Sequence, residues 1–216
     1  MSIGTIFGML MGGLGKSAEV FFVTLIFSLP LGLLVCFGRM SKNIIIRNIS
    51  KFYISVMRGT PLMLQLFVVF FGPYYLFHIR TTSSYRTFAI LLGFSINYAA
   101  YFAEIYRAGI ESIPVGQHEA AKLLGYSKHQ TFMRIILPQM IKRVTPPVTN
   151  EVITLVKDTS LAFVLSFVEM FTTAKQVAAA ESSMTPYILA GAIYYVINLV
   201  IALISEKCEK KMGYYR

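Results

Sequence analysis

The sequence predicts an all-α membrane protein with five transmembrane helices, the N-terminus outside and the C-terminus in the cytoplasm. Three observations carry this. Of 216 residues, 56% are hydrophobic and 14% charged, with a mean hydropathy of +0.63; soluble domains carry about a quarter charged residues. Five windows approach the ~20 mostly apolar residues a spanning helix needs: residues 20–37, 61–77, 88–106, 148–168 and 187–204. Finally, 15 of the 20 Lys and Arg residues fall in the stretches between windows one and two, between windows three and four, and after window five. By the positive-inside rule those stretches are cytoplasmic. The net charge of +10 is therefore a topology signal, and nucleic acid is excluded as the partner it implies.

Residues 1–16 are apolar and glycine-rich but too short to span, so an interfacial segment is expected there. They lack the charged start and small-residue cleavage site of a signal peptide. Gly12-Gly13-Leu14-Gly15-Lys16-Ser17 looks like a phosphate-binding loop, but that motif needs a glycine at position 10, which is leucine. No ATP site is expected in this chain. Cys36 falls in the first span and Cys208 in the tail, so neither a disulfide nor a metal site is expected.

Window two opens with Arg58-Gly59-Thr60-Pro61. Here Thr60 is suited to capping a helix, Pro61 to its first turn, and Arg58 to anchoring the cytoplasmic interface. Window three carries Asn97, Tyr101 and Glu104 at spacings of four and three, which places them on one helical stripe. Ionisable groups inside spans usually face the bundle interior or a water-filled cavity. Glu104 lies near the cytoplasmic edge, where a local role at the interface is the other reading.

The following connection is polar and helix-forming. From Glu119 to Leu124 it is rich in strong helix formers, with Gly125 as a natural stop. Ala120 and Ala121 are small enough for another backbone to approach closely. An amphipathic run, 132–137, follows and is expected to close at Pro138. Window four is expected to begin after Pro146-Pro147. It holds Glu151 and Asp158 seven residues apart on one face, and a Lys157-Asp158-Thr159-Ser160 cluster that a lipid-facing helix tolerates poorly. A locally opened helix lining a cavity is one account; a structural Lys157–Asp158 pair is the other. Window five is a clean apolar run, followed by a basic tail, 207–216.

Glu119-Ala120-Ala121, three residues, Gly125, nine residues, Ile135-x-Leu137-Pro138 resembles the signature loop of ATP-binding-cassette importer permeases. Arg58-Gly59-Thr60-Pro61-Leu62, Gln65-Leu66-Phe67, Ala100 through Gly109, Ile113-Pro114-x-Gly116-Gln117 and Lys157-Asp158-Thr159-Ser160-Leu161 are similar to the polar amino acid permeases of that class. The similarity runs over residues 17–210. It implies a type I importer, MetI-like fold in a bacterial cytoplasmic membrane, with a coupling loop at 108–145. The resemblance also assigns Gly116, Glu119, Ala120, Ala121 and Gly125 to coupling with a partner ATPase. Asn97, Tyr101, Glu104, Glu151, Asp158, Thr159 and Ser160 become the candidate cargo-binding residues, with a basic amino acid as the favoured cargo. The implied partners are a second permease subunit (a homodimer favoured), two ATPase subunits that bind ATP and Mg, and an extracytoplasmic amino-acid-binding protein. The chain itself would be non-catalytic and hold no cofactor. A secondary transporter moving ions or protons through the intramembrane carboxylates is the alternative. A membrane enzyme finds no nucleophile–base set to support it.

Overall fold

The computed structural model describes residues 1–79 and 82–211; Arg80, and residues 212–216 of the expected basic tail, lie outside them. Among the described residues the chain is helical and has no strand. Helix α1, Ile3–Arg39, is capped by Ser2, whose hydroxyl accepts from the Thr5 amide at 3.2 Å. At 1.5 Å per residue its 37 residues extend ~55 Å, well beyond the ~30 Å of hydrocarbon in a bilayer. The segment expected to stand apart at 1–16 is thus the start of this helix. The reason is a stripe of buried residues at three- and four-residue spacing: Ile6, Leu10, Gly13, Ser17, Val20, Thr24, Ser28, Gly32 and Cys36. Glycine does not interrupt the helix because small residues let it press against its neighbours. At Gly32 an added Cβ would sit 2.8 Å from Cβ of Phe102 and 3.0 Å from the Ala99 carbonyl oxygen.

Those neighbours belong to α4, Ser83–Glu111, the most buried of the spans, which packs along α1. Its Ile90, Phe94, Tyr98 and Phe102 form the centre of the main core with Val20, Leu66 and Leu155. Between these two helices the chain forms α2, Ile44–Gly59, and α3, Leu62–Phe77, which meet at an angle of 111°. The break comes at Thr60-Pro61, since the residue before proline is driven out of helical geometry (Thr60 has φ −124°, ψ 148°). Thr60 therefore caps the end of α2, its hydroxyl donating to the Val56 carbonyl at 2.8 Å, and does not start α3 as expected. Pro61 stands just outside the first turn of α3.

After α5, Val115–Leu123, the chain builds one long rod: α6, Lys128–Thr131, a π-helical turn, Phe132–Ile136, α7, Leu137–Asp158, and a 3-10 stretch, Thr159–Leu165. Two expectations are corrected here. Pro138 does not close the helix, and the fourth helical segment does not begin after Pro146-Pro147. The π turn, with the Leu137 amide bonded to the Phe132 carbonyl, opens the ladder ahead of Pro138, where its ring and missing N–H would break a regular helix. Residues 148–168 are consequently divided between α7, the 3-10 stretch and a turn. Among the described residues three helices are long and apolar enough to span (α1, α4 and α9, Thr185–Lys211), with α2 and α3 making a fourth if the bent pair is one span. Lys207–Lys211 of the expected tail continues α9.

Helix α8, Met170–Glu181, is capped by the fully buried Glu169, whose carboxylate accepts from the Phe171 and Thr172 amides at 2.7 and 2.6 Å. Ser17 of α1 donates to the same carboxylate at 3.2 Å, so one side chain ties α8 to α1.

Candidate functional site

The end of α2, the C-terminal half of α4 and the first half of α7 surround an open cavity of about 430 Å³. Its charged lining is Arg58, Glu104, Arg107, Arg143 and Glu151, with the Tyr101 ring forming part of the wall. These groups divide into two sets. Glu104 is consumed: it accepts from Arg107 at 2.7 Å and lies 3.9 Å from Arg39, with its side chain only 18% exposed. Arg107 also holds Glu111 at 2.5 Å, which joins three consecutive turns of α4 at this end.

The second set is uncommitted. Arg58 lies over the Tyr101 ring, 5.3 Å from its centroid, and makes no ion pair among the described residues. Glu151 has neither a hydrogen bond nor an ion pair among the described residues. Arg58 is close enough to attract the Glu151 carboxylate without bonding to it, and a cation on an aromatic face and such a carboxylate beside it can together receive the two ends of a zwitterion. Arg143 donates to the Ser112 carbonyl oxygen at the end of α4, linking the cavity to the turn that leads into α5.

The structure brings together Tyr101, Glu104 and Glu151 of the residues singled out from sequence. It places the other four elsewhere. Asn97 is buried and binds the break between α2 and α3: its amide donates to the Met57 carbonyl at 3.1 Å and to Gln65 Oε1 at 2.9 Å. Gln65 in turn donates to Met57 and Thr60 carbonyls. This clasp satisfies the carbonyls that a bent helix pair leaves without partners. Asp158 accepts from the Tyr98 hydroxyl at 2.7 Å, away from the cavity, and forms no Lys157 pair among the described residues. The helix does not open at Lys157–Asp158 as expected; it tightens from α to 3-10 geometry. Thr159 and Ser160 donate to the carbonyls of Val156 and Lys157, three residues back, which removes the demand for an external ligand. Thr159 is buried.

Arg58, Arg107 and Arg143 were not singled out as site residues from sequence, since each counts there only as one of many basic positions flanking a span. The readable signal was local: a Glu104–Arg107 pair three residues apart, and an arginine just before the Gly-Thr-Pro break.

The second candidate region is α5. Its end is a Schellman motif: the Tyr126 amide bonds to the Ala121 carbonyl at 3.0 Å and the Gly125 amide to the Lys122 carbonyl at 3.1 Å. Gly125 has φ +76°, the left-handed conformation that glycine adopts without cost. Ser127 then begins α6 with a capping box, its hydroxyl bonded to the Gln130 amide and the Gln130 side chain to the Ser127 amide. Only Ala121 of the five proposed coupling residues is buried; Gly116, Glu119, Ala120 and Gly125 are exposed, as are Val115 and Leu123, the latter 89%. An independent nine-residue helix with uncovered apolar side chains, fixed at its end by a rigid turn, is a surface shaped for contact with another protein.

The model of the family described as "Binding-protein-dependent transport system inner membrane component" matches residues 28–214. A probable amino-acid ABC transporter permease protein, YckA, of Bacillus subtilis (strain 168) is 40% identical over 94% of this chain and 88% of its own. The L-cystine transport system permease protein TcyB of the same organism is 35% identical over 95% of this chain and 87% of its own. A solved structure described as an amino acid ABC transporter with histidines superimposes with a TM-score of 0.86 at 30% identity, covering 94% of both chains.

Proposed function

This chain belongs to the family of binding-protein-dependent transport system inner membrane components, and on that premise we propose that it forms the cargo pathway of an importer for a basic amino acid and receives the ATP-driven stroke through α5. The chain is a multi-pass inner-membrane permease of the amino-acid ABC transporter class, a non-catalytic subunit of an ATPase-driven complex.

The observation that carries the cargo reading is the uncommitted pair in the cavity. Arg58, held over Tyr101, would take the α-carboxylate, and Glu151 the cationic side chain. The histidines in the related solved structure agree with a basic cargo, while the L-cystine relative shows that the class carries others. Glu104, locked between arginines, would hold the cavity wall and is not a cargo ligand in this reading. The family match to binding-protein-dependent transport systems favours this reading over the ion-coupled alternative.

In the proposed cycle two copies of this chain enclose the pathway, because one bundle leaves its cavity open on one side. An extracytoplasmic binding protein delivers the amino acid, and two ATPase subunits with ATP and Mg close against the α5 helices on the cytoplasmic side. Motion of α5 would reach the cavity through the Ser112–Arg143 link. The test is uptake by the reconstituted complex across a panel of amino acids, with wild type and Glu151→Gln. Arginine, lysine or histidine uptake that falls selectively in the variant is expected. A wild type that transports only neutral amino acids, or a variant with unchanged basic uptake, overturns the cargo reading.

A further inference from the structure

Helix α2 has a face that neither the fold nor the transport reading uses. It is 16 residues long, ~24 Å at helical rise, and unlike the equally long α3 it carries three basic residues, Arg47, Lys51 and Arg58. Its Ser50, Tyr53, Ile54 and Met57 pack toward α1 and α4; Gly38 and Ser50 touch, and Tyr53 donates to the Ile96 carbonyl. A different stripe, Ile45, Ile49, Phe52 and Val56, follows the four-three-four spacing of a single helix face. These side chains are exposed, Phe52 by 72%. Arg47 and Lys51 lie on the side opposite that stripe and are also exposed. No acidic residue occurs in the sequence between Glu19 and Glu104, so nothing on α2 neutralises them.

The 111° turn at Thr60-Pro61 sets the orientation. If α3 runs across the bilayer, α2 lies near its plane, at the end of the bundle where Arg39 and Arg107 meet Glu104. A helix with one apolar face, a basic opposite face and an in-plane axis buries the first among acyl chains and holds the second at phosphate level.

We propose that α2 is an interfacial helix that binds anionic lipid, with Ile45, Ile49, Phe52 and Val56 among the acyl chains and Arg47 and Lys51 on headgroup phosphates. The occupant is the surrounding bilayer, because the charge on the helix is of one sign and the bend at Thr60-Pro61 joins it directly to the apolar helix α3. The helix also ends in the cavity: its Met57 carbonyl is held by Asn97 and Gln65, and the next residue is Arg58. Lipid contact at Phe52 therefore sits within two helical turns of the group proposed to receive cargo.

The chain contains no tryptophan, so Phe52→Trp in the full chain is its single tryptophan, excited at the red edge where the 13 tyrosines do not absorb. Reconstituted into vesicles of acyl-brominated phosphatidylcholine or phosphatidylglycerol, it should show blue-shifted emission that both lipids quench, the anionic one at lower mole fraction. Adding Arg47→Gln and Lys51→Gln should leave the quenching in place while the preference for the anionic lipid drops by roughly fivefold or more. Unquenched emission, as when a second copy covers the stripe, overturns the proposal. So does equal quenching by the two lipids before the charges are removed.

Discussion

Replacing Gly125 tests the link between a backbone conformation and energy coupling. Its φ of +76° lies in the left-handed region, and a Cβ built there meets nothing within 4 Å. Steric collision inside this chain is therefore absent, and the whole cost is conformational, about 1–2 kcal/mol for an ordinary L-residue. That penalty lowers the ratio of the reversed turn to its alternatives by roughly 5- to 30-fold. The two bonds that end α5, Tyr126 amide to Ala121 and Gly125 amide to Lys122, exist only in the reversed conformation. A graded series follows: Gly125→Asn should be mild, because asparagine tolerates this region, Gly125→Ala intermediate, and Gly125→Val most severe. The assay is amino acid transported per ATP hydrolysed by the reconstituted complex, together with the amount of ATPase retained on purification of the permease. The ratio should fall in the order Asn, Ala, Val while the permease still inserts. A valine variant with the wild-type ratio refutes the backbone argument. Asparagine as damaging as valine refutes it too, since the defect would then follow side-chain size against a partner and not the turn.

Glu151→Gln removes a charge from the proposed cargo contact, worth about 2 kcal/mol for a charge-assisted hydrogen bond. The apparent affinity for a basic amino acid should weaken by roughly 30-fold with little change for a neutral one, measured by competition in uptake; equal weakening for both would count against Glu151 as the charge reader. Asn97→Leu leaves Gln65 Oε1 without a donor, while the Met57 carbonyl keeps its bond from Gln65 Nε2, so thermal stability of the purified permease should drop by about 1–3 kcal/mol while the order of preference among amino acids stays fixed. A changed preference would return Asn97 to the cargo site. Gly32→Val forces a side chain into the Ala99 carbonyl and Phe102, a backbone collision costing about 1–3 kcal/mol or more. Poor yield of folded protein is expected, and full yield with normal melting would show that α1 and α4 can separate there.

The membrane character, the approximate helix positions and the short helix that stops at Gly125 were legible because each depends on local information. Hydropathy marks a span wherever it falls, and a glycine after a run of helix formers marks a stop. What sequence could not place depended on neighbours distant in the chain. Asn97, on the stripe of Tyr101 and Glu104, serves the α2–α3 break because Gln65 and Met57 stand opposite it. Asp158, two turns from Glu151, is turned away from the cavity by Tyr98, 60 residues earlier. The prolines misled for a different reason. At Pro138 the rule for a regular ladder meets a helix just opened by the π turn, whereas Pro146 and Pro147 are carried inside the α-helical α7 itself.

That departure has a torsional consequence. The π turn at Phe132–Ile136 accommodates one residue more than an α-helical path would need over the same rise. Each residue turns an α-helix by about 100°, so this single extra residue sets the angle at which α5 and its turn are presented relative to the cavity-lining face of α7. Deleting one residue between Thr131 and Leu137 would leave the rod's length nearly unchanged, yet aim α5 toward a different side of the molecule. In this chain, the direction α5 faces is a phase angle, set by one hydrogen-bond slip some fifteen residues from Glu151.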